Sequence, residues 1–162
     1  GITVGQTRTF DVVSVEEVPE SPPAPGPMGS SRATLIRDLY ARYYEEISSA
    51  TGSDLKNKSA AFALVLWEIT HQDSSGKTPS SVLADLDLAT GNARFDSSSV
   101  VNQFANSWLD GLGGGTDDFL WFNGLVGLTD PTTQDFLTVV PGPAGMMALL
   151  GLGSLGRSRR RR

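Results

Sequence analysis

The single histidine, His71, would have to act as the general base of any Ser-His-acid triad in this chain. It lies in a polar stretch after a predicted helix, and no serine stands in a glycine-framed nucleophile motif. The chain contains no cysteine, which excludes thiolate nucleophiles, disulfides and thiolate metal sites. We interpret His71 as a surface residue near a helix C-terminus; a secreted hydrolase that depends on it stays open as an alternative.

The remaining chemistry-bearing residues are acidic pairs and a glycine run. Asp85 and Asp87, and also Asp117 and Asp118, offer oxygen ligands, but the glycine-containing acidic loop of known calcium sites is missing. Glycines 113–115 precede no Lys-Ser/Thr pair and begin no helix, so they do not form a phosphate-binding loop. We predict no enzymatic activity, no cofactor and no metal.

The charge is distributed unevenly between a long acidic part and a short basic one. Residues 1–156 carry eight basic and 18 acidic residues, a net charge of −10, whereas residues 157–162 contain five arginines and no acid. An acidic body disfavours nucleic-acid binding, because neutralising phosphates requires a clustered basic surface. The sequence begins at Gly1 without an apolar leader, so we expect an export signal peptide to have been removed or to be missing from this sequence.

Hydrophobic patterns along residues 7–140 alternate between helix and strand periods. A β-branched run predicts a strand over 7–18, and a proline-rich connector follows at 19–31. Helical spacing predicts an amphipathic helix over 32–47 and a second helix over 58–70 that is apolar on all sides and therefore buried. The tyrosines of the first helix are interpreted as core residues rather than as a platform for a ligand.

The second half predicts further elements. Two short strands are expected around a Thr-Gly-Asn turn in 83–95, and two closing strands in 117–130 and 132–140. Between the predicted hairpin and the closing strands, serines precede an apolar stripe and glycines follow it, which predicts a helix within 97–115. The stripe consists of Val100, Val101, Phe104, Ala105, Trp108, Leu109 and Leu112.

Residues 139–162 follow a different pattern. A Pro-Gly-Pro sequence at 141–143 overlaps the start of a stretch of 15 uncharged residues, 142–156, which is shorter than the roughly 20 residues of a comfortable transmembrane helix. The arginines behind it supply a positive-inside signal. This order predicts a marginal membrane anchor whose membrane stop is formed by Arg157, Arg159, Arg160, Arg161 and Arg162.

This stretch resembles the PEP-CTERM sorting signal of Gram-negative bacteria, also labelled the ice-binding protein C-terminal domain. The sorting motif would consist of Val140, Pro141, Gly142 and Pro143, with Gly142 in place of the family's Glu. The resemblance implies export, transient retention in the inner membrane and cleavage near the motif by an exosortase-type membrane protease. Ice binding carries little weight, because the label belongs to the tail and the chain lacks repeated threonine arrays.

Residues 7–140 resemble, through segments such as "RTFDVVSVEEV" and "AAFALVLWEIT", a thioester-domain-like group of PEP-CTERM proteins. In that group a Cys and a Gln form the thioester, but these positions read Asp11 and Ala63 here. The resemblance therefore implies the fold without the covalent adhesion chemistry. An isopeptide bond between Asp11 and Lys58 is a remote alternative, because the amine would need a lowered pKa to attack.

Together these observations predict an α+β fold with strands around two or three amphipathic helices, plus a C-terminal apolar helix. Residues 1–138 are expected to form an exported globular domain and 139–162 the sorting signal. The predicted function is a non-enzymatic extracellular or cell-envelope protein that an exosortase-type system sorts. A permanently tethered surface binding or adhesion domain stays open as the alternative, as does an extracellular polysaccharide as a further partner.

Overall fold

The computed structural model describes residues 7–19, 26–90, 97–132 and 134–140. These residues form a single small α+β domain of four α-helices and a three-stranded antiparallel sheet, as predicted. In chain order the elements are β1 (Asp11–Val13), α1 (Gly29–Ser49), α2 (Gly52–His71), α3 (Pro79–Ala84), α4 (Ser99–Gly111), β2 (Leu125–Thr129) and β3 (Phe136–Val139). Short 3-10 turns follow β1 and α4, at Val15–Glu17 and Leu112–Gly115.

Helix α1 is the centre of the domain. Its apolar stripe is buried as predicted, with Leu35, Ile36 and Leu39 fully enclosed, and the helix packs against α2, α3 and both 3-10 turns. It begins at Gly29, before the predicted start, so Ser31 lies in its first turn, where the Ser31 hydroxyl donates to the Lys77 carbonyl. The sequence-derived core assignment for this helix is therefore confirmed.

The prediction that α2 is buried on all sides is wrong. Its buried positions, Ala61, Val65, Glu68 and Ile69, form one face, whereas Trp67 is 46% exposed. Helix α2 packs against α1 and α4, and the described residues offer no third layer to cover its remaining side. The apolar composition of α2 therefore did not indicate which of its faces are buried, because burial depends on how many other elements pack against the helix.

The two strands predicted in 83–95 are also not found where the structure describes this segment. Residues 79–84 form α3, which Thr78 caps by accepting a hydrogen bond from the Ser81 amide and which Pro79 begins. The following turn is closed by the Asp87 carboxylate, which accepts hydrogen bonds from the Ala89 and Thr90 amides. These local hydrogen bonds between side chains and the backbone compete with strand pairing. The rest of the predicted hairpin, within 91–96, lies outside the described residues.

The sheet has the order β1-β2-β3. Of the strand predicted over 7–18, only 11–13 form a paired strand, because Ser14 and Glu17 form a capping box that turns the chain. Both closing strands are confirmed in shortened form, and Gly127 of β2 pairs with Val13 on one side and Leu137 on the other. Helix α4 is confirmed with its predicted serine cap, since Ser98 accepts from the Val101 amide.

The predicted C-terminal apolar helix lies outside the described residues. Among the helices that the structure does describe, none combines the length and the apolar character required to cross a bilayer.

Gly127 is required by close packing against the core side of the sheet. A Cβ atom at this position would clash with the Val18 side chain and approach Val13 Cγ2 to 3.1 Å. Gly127→Ala should therefore lower the free energy of unfolding by about 1–3 kcal/mol, the usual cost of overpacking. Urea denaturation measures this loss.

The Val18→Ala background is the control, because it removes the methyl groups nearest to the new Cβ. In that background we expect the additional cost of Gly127→Ala to nearly vanish. An equal loss in both backgrounds would show that the side-chain clash is not the cause.

Candidate functional site

The strongest polar cluster of the described chain surrounds the carboxylate of Asp38, which is fully buried in the middle of α1. One turn along the helix, Arg42 Nε donates to both Asp38 oxygens at 2.9 and 3.0 Å. The backbone amides of Gly113 and Leu120 each donate to this carboxylate at 2.7 Å. Asp38 therefore neutralises its charge against Arg42 and at the same time binds both ends of the loop between α4 and β2.

That loop has a left-handed backbone at its start. Gly113, Gly114 and Gly115 have φ values of 66°, 57° and 73°, which glycine adopts without the steric cost of a Cβ. The Gly113 amide is occupied by the protein's own carboxylate, and Arg42 Nη2 donates to the Asp118 carbonyl at 2.7 Å. The glycine run thus shapes a structural turn, consistent with the sequence-based argument against a phosphate loop.

A second ion pair lies one residue away on α1. Arg37 donates two hydrogen bonds to the Glu16 carboxylate, and its guanidinium carbon lies 4.1 Å from the ring centroid of Trp121. The hydrogen bonds from Arg37 lower the pKa of Glu16 below its ordinary value of 4.5 despite partial burial, which acts in the opposite direction. Trp121 itself is 62% exposed, so the guanidinium supports an aromatic ring that faces solvent.

The aromatic side chains of α1 continue from this point. The Tyr40 ring stacks on the Tyr44 ring at 5.5 Å, and both contact Phe122, the residue after Trp121. Tyr40 is buried, which agrees with the predicted core role of the stripe, whereas Tyr44 is 38% exposed. Two aromatic side chains of this region are exposed: Trp121, which lies against Arg37, and Tyr44, which contacts Phe122.

His71 is the last residue of α2, so it lies near a helix C-terminus as predicted but inside the helix and not in the loop that follows it. Its ring stacks on Trp67 with a centroid separation of 4.9 Å, and Nδ1 donates to the Trp67 carbonyl at 2.9 Å. These contacts within one helix hold the imidazole at the helix C-terminus, where a cationic side chain also interacts favourably with the helix dipole.

The degenerate thioester positions are both exposed and lie in different elements, Asp11 in β1 and Ala63 on α2. Lys58, the partner of the hypothetical isopeptide, forms ion pairs with Asp54 and Glu46 at 2.9 Å each. Hydrogen bonding to Asp54 and Glu46 raises the pKa of the Lys58 ammonium. This is the opposite of the lowered pKa that a nucleophilic amine requires, so the isopeptide hypothesis gains no support.

The acidic pairs serve local structure. Asp85 pairs with Lys77 at 2.9 Å, and hydrogen bonds from the Thr90 hydroxyl and nearby amides lower the pKa of Asp87. Within the described ranges, no group of three or more His, Asp or Glu side chains is arranged to hold a metal ion.

Of the predicted sorting motif and membrane stop, only Val140 lies in the described part of the chain. Its amide donates to the Gly124 carbonyl at 2.7 Å, and its side chain is 47% exposed. Pro141, Gly142, Pro143 and the arginines at 157 and 159–162 lie outside the described residues.

Comparison with known proteins gave no match: no family model, no curated protein and no solved structure matches this chain. The resemblances based on the sequence motifs therefore stay predictions.

Sequence reasoning missed the Asp38 and Arg37 clusters entirely. A signal for them was present, because Arg37 and Asp38 interrupt the apolar stripe between Ile36 and Leu39 and Arg42 follows Asp38 at i+4. Charged residues within a core-facing stripe require buried partners. The partners themselves, backbone amides more than 70 residues away, cannot be read from spacing.

Replacing Asp38 should destabilise the whole domain. Asp38→Asn removes the charge opposite Arg42 and places an amide donor where backbone donors now bind, so we expect a loss of about 3–5 kcal/mol in unfolding free energy. Urea denaturation measures this loss. Asp85→Asn, which breaks the exposed pair with Lys77, is the control and should have a much smaller effect; equal losses would contradict the structural role of Asp38.

The Arg37–Glu16 pair should make stability depend on acid. Because the pKa of folded Glu16 lies below 4.5, its stabilising contribution is fully present well above pH 4.5 and disappears as the pH falls through the folded pKa. We expect Glu16→Gln to reduce the loss of stability between pH 7 and pH 3.5, as measured by urea unfolding. Glu45→Gln, an exposed substitution on α1, should keep the wild-type dependence; an unchanged profile in Glu16→Gln would refute the assignment.

Proposed function

We propose that this chain is an exported, non-enzymatic protein of the cell envelope or extracellular matrix and a substrate of an exosortase-type sorting system. Its signal would be residues 139–162, which an inner-membrane protease reads and cuts near Pro141–Pro143. The single observation that carries this proposal is the order of the residues: two prolines, 15 uncharged residues and five arginines.

Physical chemistry favours a membrane-directed role for that order. Residues 142–156 carry no charge to desolvate, and the arginines that follow are attracted to the anionic lipids of the cytoplasmic leaflet. The 15-residue length makes the anchor weak, which suits transient rather than permanent insertion. The acidic body, with its net charge of −10 over residues 1–156, contrasts in charge with this basic end.

The position of the proposed signal relative to the domain also supports the proposal. Strand β3 ends at Val139, and the amide of Val140, the first motif residue, donates to the Gly124 carbonyl, so a cut after Pro141 would lie beyond the last backbone hydrogen bond described for this end of the sheet. A cut after Pro141 would therefore remove no hydrogen bond described in the body. Release of an intact domain is the outcome that a sorting protease requires.

A non-enzymatic body is consistent with how its buried charges are used. The carboxylates of Asp38 and Glu16 accept hydrogen bonds from arginines, and Asp38 also accepts from backbone amides. Both carboxylates use their hydrogen-bonding capacity within the domain, so they stabilise the fold and are not available to act on a substrate.

The alternative is a permanently tethered surface domain. Gly142 favours it, because the resemblance implies a Glu at the centre of the motif and its loss is expected to slow cleavage. The two proposals differ in whether residues 144–162 persist in the mature protein.

The intact mass of the protein from its native host, in membranes and in medium, distinguishes the two. We expect a chain in the medium that ends near Pro141–Pro143. A chain that retains Arg162 and occurs only in membranes would overturn sorting and establish the tethered domain.

The variant Gly142→Glu sharpens this experiment, because it restores the Pro-Glu-Pro order that the resemblance implies. We expect it to increase the processed fraction, whereas Ala144→Glu adds the same charge outside the motif and should not. Equal effects of the two substitutions would show that the charge, and not the motif, matters.

A further inference from the structure

Trp121 is an unusually exposed side chain for its type and its position. The nearby residues Phe119 and Phe122 pack against the core, whereas Trp121 is 62% exposed and its neighbour Leu120 39%. Tryptophan is the side chain with the most to gain from burial, since a large aromatic ring contributes 150–250 Å² of surface. Because Trp121 is exposed, the isolated domain does not obtain the stabilisation that burying this ring would provide.

The ring is nevertheless held in place from below. The Arg37 guanidinium lies 4.1 Å from its centroid, and two hydrogen bonds to Glu16 fix that guanidinium. The backbone next to it is held as well, because the Leu120 amide donates to the buried Asp38 carboxylate at 2.7 Å. One face of Trp121 is therefore covered by a fixed cation, and the opposite face is left for a ligand with little further loss of side-chain freedom.

Tyr44 provides a second exposed ring, on the face of α1 that carries Arg37. It lies seven residues after Arg37, about 10 Å along the helix axis at 1.5 Å per residue, and residues at i and i+7 share a helix face. Tyr44 contacts Phe122, the residue that follows Trp121, with ring centroids 5.9 Å apart. Arg37, which lies against the Trp121 ring, and Phe122 therefore connect the two exposed rings.

The surroundings limit the chemistry of a ligand. The loop that carries Trp121 also exposes Asp117 and Asp118, and the whole chain has a net charge of −5, so this part of the surface repels anionic polymers. Carboxylates accept hydrogen bonds from hydroxyl groups, and the negative face of an aromatic ring attracts the weakly positive C–H face of a pyranose. A stable protein interface needs about 800 Å² per partner, far more than two separate rings supply.

We propose that Trp121 and Tyr44 form a binding platform for a neutral polysaccharide, with Arg37 as the residue that positions the Trp121 ring. The proposal rests on the proposed function in one respect, because an exported protein is the one that meets such a polymer. The platform proposal adds a ligand class, neutral polysaccharides, which the sequence of residues 139–162 does not specify.

Affinity electrophoresis of the purified full chain tests it, in native gels that contain a soluble β-glucan, a mannan or the anionic alginate. We expect at least one neutral polysaccharide to retard the protein, and we expect Trp121→Ala to leave unchanged any retardation by alginate, because the C-terminal arginines supply the charge for an anionic polymer. Trp121→Ala should raise the apparent Kd at least about tenfold, and Tyr44→Ala should raise it by a smaller factor. Trp121→Phe, which keeps an aromatic face, should restore part of the affinity.

Trp67→Ala is the matched control, because Trp67 is also exposed but lies on α2 against His71. It should retain wild-type binding, and urea unfolding should show that each variant is folded. The proposal is overturned if no neutral polysaccharide retards the protein, if Trp121→Ala weakens retardation by alginate as much as retardation by the neutral polymers, or if Trp67→Ala weakens binding as much as Trp121→Ala. None of these outcomes bears on cleavage of the tail, which the mass measurement tests separately.

Discussion

The buried carboxylate of Asp38 is the interaction on which the architecture of this domain depends. A charge without solvent exposure is tolerated only when hydrogen bonds and an opposite charge replace its lost hydration. Arg42 supplies the charge, and the Gly113 and Leu120 amides supply the remaining donors. Because both amides belong to the loop that connects α4 to β2, the electrostatic requirement of one side chain on α1 also determines the path of that loop.

The position of the loop has consequences at both of its ends. Gly113 needs a left-handed backbone to present its amide, and a Cβ there would approach Phe119 to 3.1 Å. At the other end, the hydrogen bond to Leu120 places Trp121 over Arg37, while Phe122 turns back to the aromatic side chains of α1. Burial of one carboxylate and exposure of one tryptophan are thus linked through a few residues of backbone.

The body and the tail follow different physical rules. The body is acidic and carries its core in α1, α2, α4 and the inner face of the sheet, so its stability is a matter of packing and satisfied polar groups. Residues 142–162 combine an uncharged stretch with concentrated positive charge, a composition suited to the boundary between a membrane and water. Under the proposed function, the body would act outside the cell and residues 139–162 would direct it there, so the two parts have no reason to share one composition.

Periodicity predicted the elements whose environment is local. The stripe of α1 and the serine cap of α4 were readable because i, i+3 and i+4 spacing and a capping serine act within one or two turns. The first strand of the hairpin predicted in 83–95 is not found for a related reason: Thr78 and Asp87 accept local capping hydrogen bonds, and Pro79 begins a helix, in place of the extended backbone that alternating hydrophobicity favoured. The sorting signal was likewise inferred from residue order alone.

Tertiary structure decided which apolar surfaces have a neighbour and which charges have a partner. Trp67 and Trp121 are exposed although their sequence contexts are apolar, because the described elements leave these sides of the domain uncovered. The Asp38 and Arg37 clusters depend on donors and acceptors 75 and 21 residues away along the chain. Sequence determines the local backbone and the inventory of polar groups, but pairing across such separations is determined only when the whole chain closes around its core.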